Sequence, residues 1–334
     1  MKFKVSLMPL TTKKIKDVYD VIVIGGGPAG CTAALYLRRF LLDTLVISKE
    51  FGGLLNEAGL IDNYPTVPEI MGSSLGERFV KHAEKYGATF LMEEVVDVSR
   101  DGEYFNVKTY FRSVKARALI IATGEVHKKL DVPGEEEFSG RGVSYCAVCD
   151  APLFKNKIVA VVGGGNTAFT DAQLLSKYAD KVYLIHRRTW FRADPIEVSR
   201  VKSNPKIVLR TPFIVKEIRG REKVEELLLE KTREEKGKVI PVGDYETLKI
   251  DGVFVDIGLI PNSSIAKKLG VKLDEHGYII VDDEMKTNVP GVFAAGDVTN
   301  IASKFRQIII AAAQGAIASY SAYNYLRGKK DVNR

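Results

Sequence analysis

Two glycine-rich turns, each preceded by a β-branched apolar run, constrain the fold of this chain more than any other feature. The turn at 25–30 (GGGPAG) follows the run 18–24, and the turn at 163–168 (GGGNTA) follows the run 157–162. A buried strand, a turn of this type and a following helix are typical of parallel sheets that bind dinucleotides. The turns are one domain length apart, so the 334 residues are predicted to hold two α/β dinucleotide-type folds rather than a solenoid.

The remaining apolar runs predict further elements of these folds. Strands are expected within 104–124 and at 252–258, 277–281 and 292–295. A final helix, rich in Ala and aromatic residues, is expected at 308–326. None of these runs reaches the ~18 residues of a membrane span, so no membrane segment is expected.

Each glycine of the first turn has its own predicted role. Gly25 makes the tight bend, Gly27 lets a pyrophosphate approach the backbone, and Gly30 lets helix and strand pack closely. The helix that begins with Pro28 and Ala29 directs free N–H groups at the phosphates. The pattern predicts a dinucleotide site, the alternative being a glycine-rich turn without a ligand.

The ribose-binding acid expected about 20 residues after the turn has two candidates. Ser48 ends the second predicted strand, and Glu50 follows it two residues later. Glu50 is mildly preferred, although it could equally be a solvated surface residue.

The second turn has the same pattern, with alanine in place of the third glycine. Gly163 and Gly165 occupy the first two glycine positions, Ala168 replaces the third, and Asn166 and Thr167 lie between them. A dinucleotide is therefore expected here as well.

The segment after the next strand indicates which dinucleotide binds the second turn. His186, Arg187, Arg188 and Arg192 stand where NAD-specific folds place an acid. An acid would repel a 2′-phosphate, whereas guanidinium groups bind it in bidentate fashion. The site is predicted to take NADPH rather than NADH, the alternative being a basic surface patch.

A CxxC sequence lies shortly before the second turn, formed by Cys146 and Cys149. It could be a redox disulfide, half of a zinc site or a chance spacing. Zinc needs two further ligands, which the four histidines do not supply at ligand spacing. Two neighbouring dinucleotide sites favour the redox pair, because a flavin beside a dithiol is a two-electron relay. Asp150 could be its acid or base or simply a helix-start residue, and Cys31 is predicted to be buried.

Composition excludes several classes of protein. The 49 basic and 42 acidic residues give a net charge of +7 but are interleaved, so nucleic-acid binding is not expected. Three cysteines are too few for the disulfide framework of a secreted protein of this size. The N-terminal extension, 1–17, is a poor signal peptide. A cytoplasmic protein is therefore expected.

Taken together, these motifs resemble the low-molecular-weight thioredoxin reductases of bacteria and archaea, a class of FAD-dependent pyridine nucleotide–disulfide oxidoreductases. The resemblance covers about 18–326. It implies two Rossmann-like, three-layer (ββα) domains, with the NADPH domain inserted into the FAD domain. The FAD domain would comprise 18–127 and 252–334, and the NADPH domain 128–251 with the CxxC. The motifs that carry the resemblance are GGGPAG at 25–30, ATG at 122–124, CAVCD at 146–150, GGGNTA at 163–168, HRRxxFRA at 186–193 and GVFAAGDV at 291–298.

The resemblance also implies site residues. FAD is expected on the first turn, and Asp297 is expected at the flavin ribityl or phosphate region. Leu54 stands where the family usually has Gln, so one hydrogen bond to the flavin is in doubt. The further positions assigned to the flavin by resemblance are Gly53, Leu54, Asn63, Thr123, Gly124, Gly296, Asp297, Arg306, Gln307 and Ile308.

The implied reaction passes electrons from NADPH to FAD and then to the disulfide. Cys149 resembles the thiol that faces the flavin, Cys146 the thiol that attacks the protein substrate, and Asp150 the residue that manages the thiol proton. A domain rotation would alternate nicotinamide and dithiol at the flavin. A thioredoxin- or glutaredoxin-like protein is the expected partner, and a homodimer the expected assembly.

Alternative functions remain at this point. An NAD(P)H oxidase would use O₂ as acceptor and leave the CxxC idle. A ferredoxin:NADP reductase shares the fold but lacks the CxxC. A flavin or nucleotide sensor would need an effector domain, for which the two folds leave no room.

Overall fold

The computed structural model describes residues 14–58, 60–301 and 305–332. The N-terminal extension therefore lies outside the described residues up to residue 13. The strands are β1 Val18–Gly26, β2 Thr44–Phe51, β3 Leu60–Ile61, β4 Ile70–Met71, β5 Thr89–Met92, β6 Val95–Asp101, β7 Tyr104–Thr109, β8 Ser113–Ile121, β9 Glu125–His127, β10 Val143–Ser144, β11 Ile158–Gly163, β12 Lys181–Ile185, β13 Ile207–Arg210, β14 Phe213–Gly220, β15 Val224–Glu235, β16 Lys238–Lys249, β17 Gly252–Asp256, β18 Leu259–Pro261 and β19 Val292–Ala294. The α-helices are α1 Pro28–Arg39, α2 Gly72–Lys85, α3 Ala147–Asp150, α4 Asn166–Ser176, α5 Pro195–Ser203, α6 Ser264–Lys268 and α7 Ile308–Val332.

The chain forms two compact units. Unit 1 comprises the described residues up to Val126 and from Pro261 onward, and unit 2 comprises His127–Ile260. The second boundary differs from the position expected from sequence, before Gly252. The reason is that β17 pairs in parallel with β10 and β11, so it belongs to the sheet of unit 2.

Unit 1 is built on a mainly parallel sheet in the order β5-β2-β1-β8, extended by the antiparallel strands β7 and β6. The C-terminal half of β8 also pairs with β19. Val21, Ile22 and Val23 are fully buried, as expected of a parallel strand covered on both faces. Helices α1 and α7 cross so closely that a Cβ at Gly315 would lie 2.2 Å from the carbonyl oxygen of Ala29.

One predicted strand of unit 1 is wrong. The segment 277–281 forms only isolated bridges, from Ile279 to Leu273 and to Thr299. Asp274 captures this part of the chain in a turn, because its Oδ1 accepts hydrogen bonds from the backbone N–H groups of His276 and Tyr278, both at 2.9 Å. Such local bonds compete with a strand ladder.

Unit 2 is built on a five-stranded parallel sheet in the order β10-β17-β11-β12-β13. A separate antiparallel sheet, β14-β15-β16, accompanies it. Phe169, Leu175 and Leu184 are fully buried in the core between α4 and the parallel sheet. The strand–turn–helix order around each glycine turn is therefore the one that places a helix N-terminus at the carboxyl edge of a parallel sheet.

Candidate functional site

The first glycine turn joins β1 to α1. Two of its glycines are packed tightly against backbone atoms, and a third leaves open space. Gly25 has a φ of +115°, and a Cβ there would lie 2.2 Å from the carbonyl oxygen of Ala122. A Cβ at Gly30 would lie 2.0 Å from the carbonyl oxygen of Gly25. At Gly27 the single atom within 4 Å of such a Cβ is a backbone oxygen 3.9 Å away. The backbone at Gly27 therefore leaves a space that a ligand can approach.

The N-terminus of α1 suits an anion. Gly27 is its N-cap residue and makes no side-chain capping bond, Pro28 occupies the first turn, and that turn contains no acid. The first-turn N–H groups, such as those of the buried Ala29 and Gly30, are thus directed at the open space with the positive end of the helix dipole.

The segment after β2 passes close to this turn. A Cβ at Gly53 would lie 3.4 Å from the Cα of Gly27, and Leu54 follows it in a short 3-10 helix. The hydroxyl of Ser48 donates to the carbonyl oxygen of Glu50 at 2.5 Å. Burial, and then the nearby carboxylate of Glu57, raise the pKa of Glu50.

The ATG segment closes the same edge of the sheet. Thr123 donates a hydrogen bond from its hydroxyl to the carbonyl oxygen of Asn262 at 2.6 Å. Gly124 has a φ of +64°, and no atom lies within 4 Å of the position a Cβ would take. Gly124, like Gly27, leaves open space beside the backbone.

A charged cluster around the buried Glu125 follows this segment. The Glu125 side chain is 5% exposed; its Oε1 lies 3.1 Å from Nε of Arg306 and accepts a 2.7 Å hydrogen bond from the Tyr278 hydroxyl. The Arg306 guanidinium lies 4.3 Å from the centroid of the Tyr278 ring. Burial, and then the charge of Glu125, raise the pKa of Asp297 to about 6, although Arg306 opposes the rise. Sequence reasoning placed Arg306 and Asp297 in the site but missed Glu125 and Tyr278.

Two further hydrogen bonds hold the C-terminal part of the candidate flavin site. The backbone N–H of Gly296 donates to Oε1 of Gln314 in α7 at 2.7 Å. Nδ2 of Asn63 donates to Oε1 of Gln307 at 3.0 Å, directly before Ile308 begins α7. The structure thus brings together Asn63 and Gln307, two predicted residues that are distant in sequence.

The second glycine turn joins β11 to α4 with a similar division of roles. A Cβ at Gly163 would lie 2.4 Å from the carbonyl oxygen of Asp256, whereas at Gly165 nothing lies within 4 Å. Ala168 is fully buried, which fits its place in the close helix–strand contact.

The start of α4 is tied to the start of α5. Nδ2 of Asn166 donates to Oδ2 of Asp194 at 3.0 Å, and the Asp194 N–H donates to Oδ1 of Asn166 at 2.7 Å. Thr167 is exposed beside Asn166. These bonds fix the N-terminal turn of α4 around the open backbone at Gly165.

The basic segment lies directly against the second turn. A Cβ at Gly164 would meet the His186 ring at 2.2 Å, and the Arg192 N–H donates to the Gly164 carbonyl oxygen at 2.8 Å. Burial, and then the neighbouring charges of Arg187, Arg188 and Arg192, lower the pKa of His186 to about 4. His186 is therefore neutral at pH 7, and the positive charge beside the turn comes from the arginines.

The redox sequence forms a disulfide. Cys146 and Cys149 are joined, with their Cα atoms 5.4 Å apart, and Cys146 is half-buried while Cys149 is exposed. The hydroxyl of the buried Ser144 donates to Oδ2 of Asp150 at 2.7 Å. The Ser144 hydroxyl oxygen in turn accepts a hydrogen bond from the backbone N–H of Cys146 at 3.1 Å. Ser144, which sequence reasoning missed, thus connects the predicted proton-handling residue to the redox turn.

A family model for pyridine nucleotide-disulphide oxidoreductases matches residues 19–315. The chain belongs to this family. It is 42% identical over 319 residues to a thioredoxin reductase of Listeria innocua, which covers 95% of this chain and 97% of the relative. It is 41% identical over 319 residues to a thioredoxin reductase of Bacillus subtilis, covering 93% and 96%.

Solved structures agree with these relatives. The crystal structure of Lactococcus lactis thioredoxin reductase matches with a TM-score of 0.80 and 37% identity, covering 93% of this chain and 99% of that one. The T. acidophilum thioredoxin reductase matches with a TM-score of 0.77 and 36% identity, covering 92% and 99%. The predictions of the family, of two Rossmann-like domains and of thioredoxin-disulfide reductase activity are confirmed. The oxidase alternative is not favoured.

The third cysteine, Cys31, lies in unit 1, apart from the redox turn. Cys31 is buried as predicted, its thiol donates to the Gly26 carbonyl oxygen at 3.3 Å, and burial raises its pKa to about 12. Within 14–58, 60–301 and 305–332, no group of three or more His, Cys, Asp or Glu side chains could hold a metal. No helix in this part of the chain has the length and hydropathy needed to span a bilayer.

Proposed function

We propose that the chain is an NADPH-dependent thioredoxin reductase that binds FAD at the first glycine turn and NADPH at the second. Its electrons pass to the Cys146–Cys149 disulfide and then to a thioredoxin- or glutaredoxin-like protein. The observation that carries the proposal is a formed CxxC disulfide in the same unit as the second dinucleotide turn. Family membership implies the use of flavin and pyridine nucleotide.

The residues of unit 1 fit a flavin dinucleotide. Open space beside Gly27 and the uncapped start of α1 suit its pyrophosphate, and the partly buried Asp297 suits a hydroxyl-rich chain. Glu50 is the proposed ribose acceptor. The other residues proposed to hold the flavin are Gly25, Pro28, Ala29, Gly30, Ser48, Gly53, Leu54, Asn63, Thr123, Gly124, Gly296, Arg306, Gln307 and Ile308.

The residues of unit 2 fit NADPH. The start of α4 and the open backbone at Gly165 suit its pyrophosphate, and the arginines beside the turn suit its 2′-phosphate. The proposed contact residues are Gly163, Gly165, Asn166, Thr167, Ala168, His186, Arg187, Arg188 and Arg192.

The chain's own side chains carry the second half of the reaction. When bound, a flavin supplies two-electron transfer from NADPH to a disulfide. The reduced Cys146 thiolate attacks a sulfur of the partner's disulfide, and one partner thiolate leaves. Cys149 then attacks the mixed disulfide, which restores Cys146–Cys149 and releases the second partner thiolate. Asp150, oriented by Ser144, holds and moves the thiol proton. We also propose that the cycle includes a domain rotation about the two chain connections, one near Val126 and one near Ile260.

An anaerobic NADPH titration followed by flavin absorbance tests the proposal. Uptake of about four electrons per flavin is expected, because flavin and disulfide accept two electrons each. Uptake of two would mean that the disulfide is disconnected, and oxygen consumption would then test the oxidase. No bleaching would contradict NADPH as the donor.

Assembly as a cytoplasmic homodimer is part of the proposal. Ile309, Ile317 and Tyr320 of α7 are 41%, 41% and 55% exposed, which leaves apolar surface on this helix for a second copy. Light scattering during gel filtration should give twice the 36.9 kDa mass of the chain. A monomer at micromolar concentration would contradict this part.

A further inference from the structure

The three arginines beside the second glycine turn differ in what they contact. The tip of the β15–β16 hairpin, residues 234–238, lies against Arg188. Nη2 of Arg188 donates to the carbonyl oxygen of Gly237 at 3.3 Å, and its Nε lies 3.9 Å from Oε2 of Glu234. Arg188 is thus the arginine that an internal carboxylate partly neutralises.

Trp190 completes this arrangement. The guanidinium carbon of Arg188 lies 4.8 Å from the centroid of the Trp190 ring, within range of a cation–π contact. The indole N–H of Trp190 donates to Oε2 of Glu234 at 3.0 Å. Trp190 and the Gly237 carbonyl therefore position Arg188, while the Glu234 carboxylate is held in place by the indole.

The other two arginines have no such counter-charge. Arg187 and Arg192 are exposed, and neither forms an ion pair with any residue that the structure describes. The backbone of Arg187 is nevertheless anchored to the hairpin, because the Thr232 hydroxyl donates to its carbonyl oxygen at 2.8 Å. The hairpin and the basic segment are therefore packed together, and of the three arginines beside the turn Arg188 is the one that pairs with a described carboxylate.

We propose that Glu234 is a specificity-determining residue of the second dinucleotide site, acting as an internal counter-anion that lowers affinity for a 2′-phosphate. The inference rests on the proposed binding of NADPH at this turn. A 2′-phosphate that engages Arg188 must compete with the carboxylate and is also repelled by its charge. The preference for NADPH over NADH is then set by the balance of Glu234 against the arginines, not by the number of arginines.

The geometry separates this role from simple positioning. At 3.9 Å the Arg188 Nε and Glu234 Oε2 atoms are too far apart for a hydrogen bond. The guanidinium is held instead by Trp190 and Gly237, which do not need the negative charge. Removing the charge should therefore strengthen phosphate binding, whereas a positioning role predicts that it weakens.

The experiment is calorimetric binding of 2′,5′-ADP and 5′-AMP to the flavin-loaded protein, without turnover. Glu234→Gln keeps an oxygen that can accept from the Trp190 indole. We expect 2′,5′-ADP to bind about fivefold more tightly to this variant at low salt, and 5′-AMP to bind unchanged. The gain should shrink in 0.5 M salt, which screens the charges to within ~4 Å. Unchanged 5′-AMP binding also shows that the variant is folded.

Glu235→Gln is the matched control. Glu235 is on the same hairpin tip but pairs with Arg233, at 2.9 Å, rather than with Arg188. This variant should leave both affinities unchanged, and an equal gain would assign the effect to net charge and overturn the proposal. A weaker or unchanged affinity of Glu234→Gln for 2′,5′-ADP would also overturn it. A wild-type protein that does not distinguish the two ligands would contradict the NADPH assignment itself.

Discussion

The two glycine turns use nearly the same sequence but stand in different electrostatic surroundings. Unit 1, which holds the first turn, contains a cluster in which the buried Glu125 contacts Arg306 and Tyr278. The second is bordered by exposed arginines and by a neutral His186. Backbone openness at Gly27 and Gly165 is common to both, so we propose that the turn itself is the pyrophosphate cradle. On this proposal, the side chains that follow each sheet edge discriminate between the ligands.

The largest effect should come from the feature that sets unit 2 apart, its disulfide. Cys149→Ser should lower thioredoxin reduction by about three orders of magnitude or more, because the two-electron acceptor is lost. Flavin bleaching by NADPH should persist, which stopped-flow absorbance would show. Cys31→Ala is the control: its thiol is buried in unit 1 and turnover should be retained. Normal turnover in Cys149→Ser would disprove the proposed relay.

Paired substitutions in the two turns test whether each cradle serves its own ligand. Gly165→Ala should raise the KM for NADPH by about tenfold or more while flavin content stays normal, because the new methyl group occupies open space at the pyrophosphate. Gly27→Ala should instead lower flavin content. The ratio of absorbance at the flavin and protein bands, with KM values, measures both. Flavin loss in Gly165→Ala would contradict the separation of roles.

Arg187→Ala should affect NADPH alone. Loss of one guanidinium contact to the 2′-phosphate should raise the KM for NADPH by about tenfold and leave the KM for NADH unchanged. Steady-state kinetics with both nucleotides give the answer. An equal change for both would mean that Arg187 contacts the shared part of the nucleotide. Lys177→Ala, on the exposed end of α4, serves as a charge-matched control.

The smallest effects should be two opposite dependences of stability on pH. The pKa of His186 is lowered to about 4, so the unfolded state binds more protons and stability falls as pH drops from 6.5 to 4. The pKa of Asp297 is raised to about 6, so the folded state binds more protons and stability rises as pH drops from 6 to 4. Because both side chains are partly exposed and solvent screens their interactions, each contributes only on the order of 1 kcal/mol to the free energy of unfolding.

Hydrogen exchange can measure the His186 and Asp297 contributions separately, because the two residues lie in different parts of the chain. Peptides from β12 should exchange faster at pH 4.5 than at pH 7 after correction for intrinsic rates, and His186→Gln should remove part of that difference. Peptides around β19 should instead exchange more slowly at pH 4.5 than at pH 7, and Asp297→Asn should remove part of that difference. The same direction of change in both regions would contradict the assigned shifts.

The sequence predicted the local elements well because they are determined by short-range patterns. The strand–turn–helix at 18–39 appears as β1 and α1, and the helix predicted from Ile308 begins there as α7. The strand predicted at 277–281 was wrong, because hydrogen bonds to the Asp274 side chain hold this segment in a turn. The cofactor assignments to individual residues stay predictions.

Contacts between distant residues were not predictable in the same way. Glu125 reads as a solvated acid in the sequence, and only the fold brings it to Tyr278 and Arg306. Likewise, Glu234 lies in a charged hairpin whose pattern gives no sign that it reaches Arg188. The one local signal available for Glu125 was its place directly after the ATG sequence that follows a buried strand.

The close crossing of α1 and α7 has a consequence for biosynthesis. Gly315 packs on Ala29 with no room for a side chain, and β19 pairs with β8, so unit 1 needs the last part of the chain to complete its core. Unit 2, in contrast, is one continuous stretch. We therefore expect unit 2 to finish folding first on the ribosome. The strands of unit 1 can complete their core only after α7 has been synthesised. During that interval the nascent chain would carry its redox disulfide pair before it can hold a flavin.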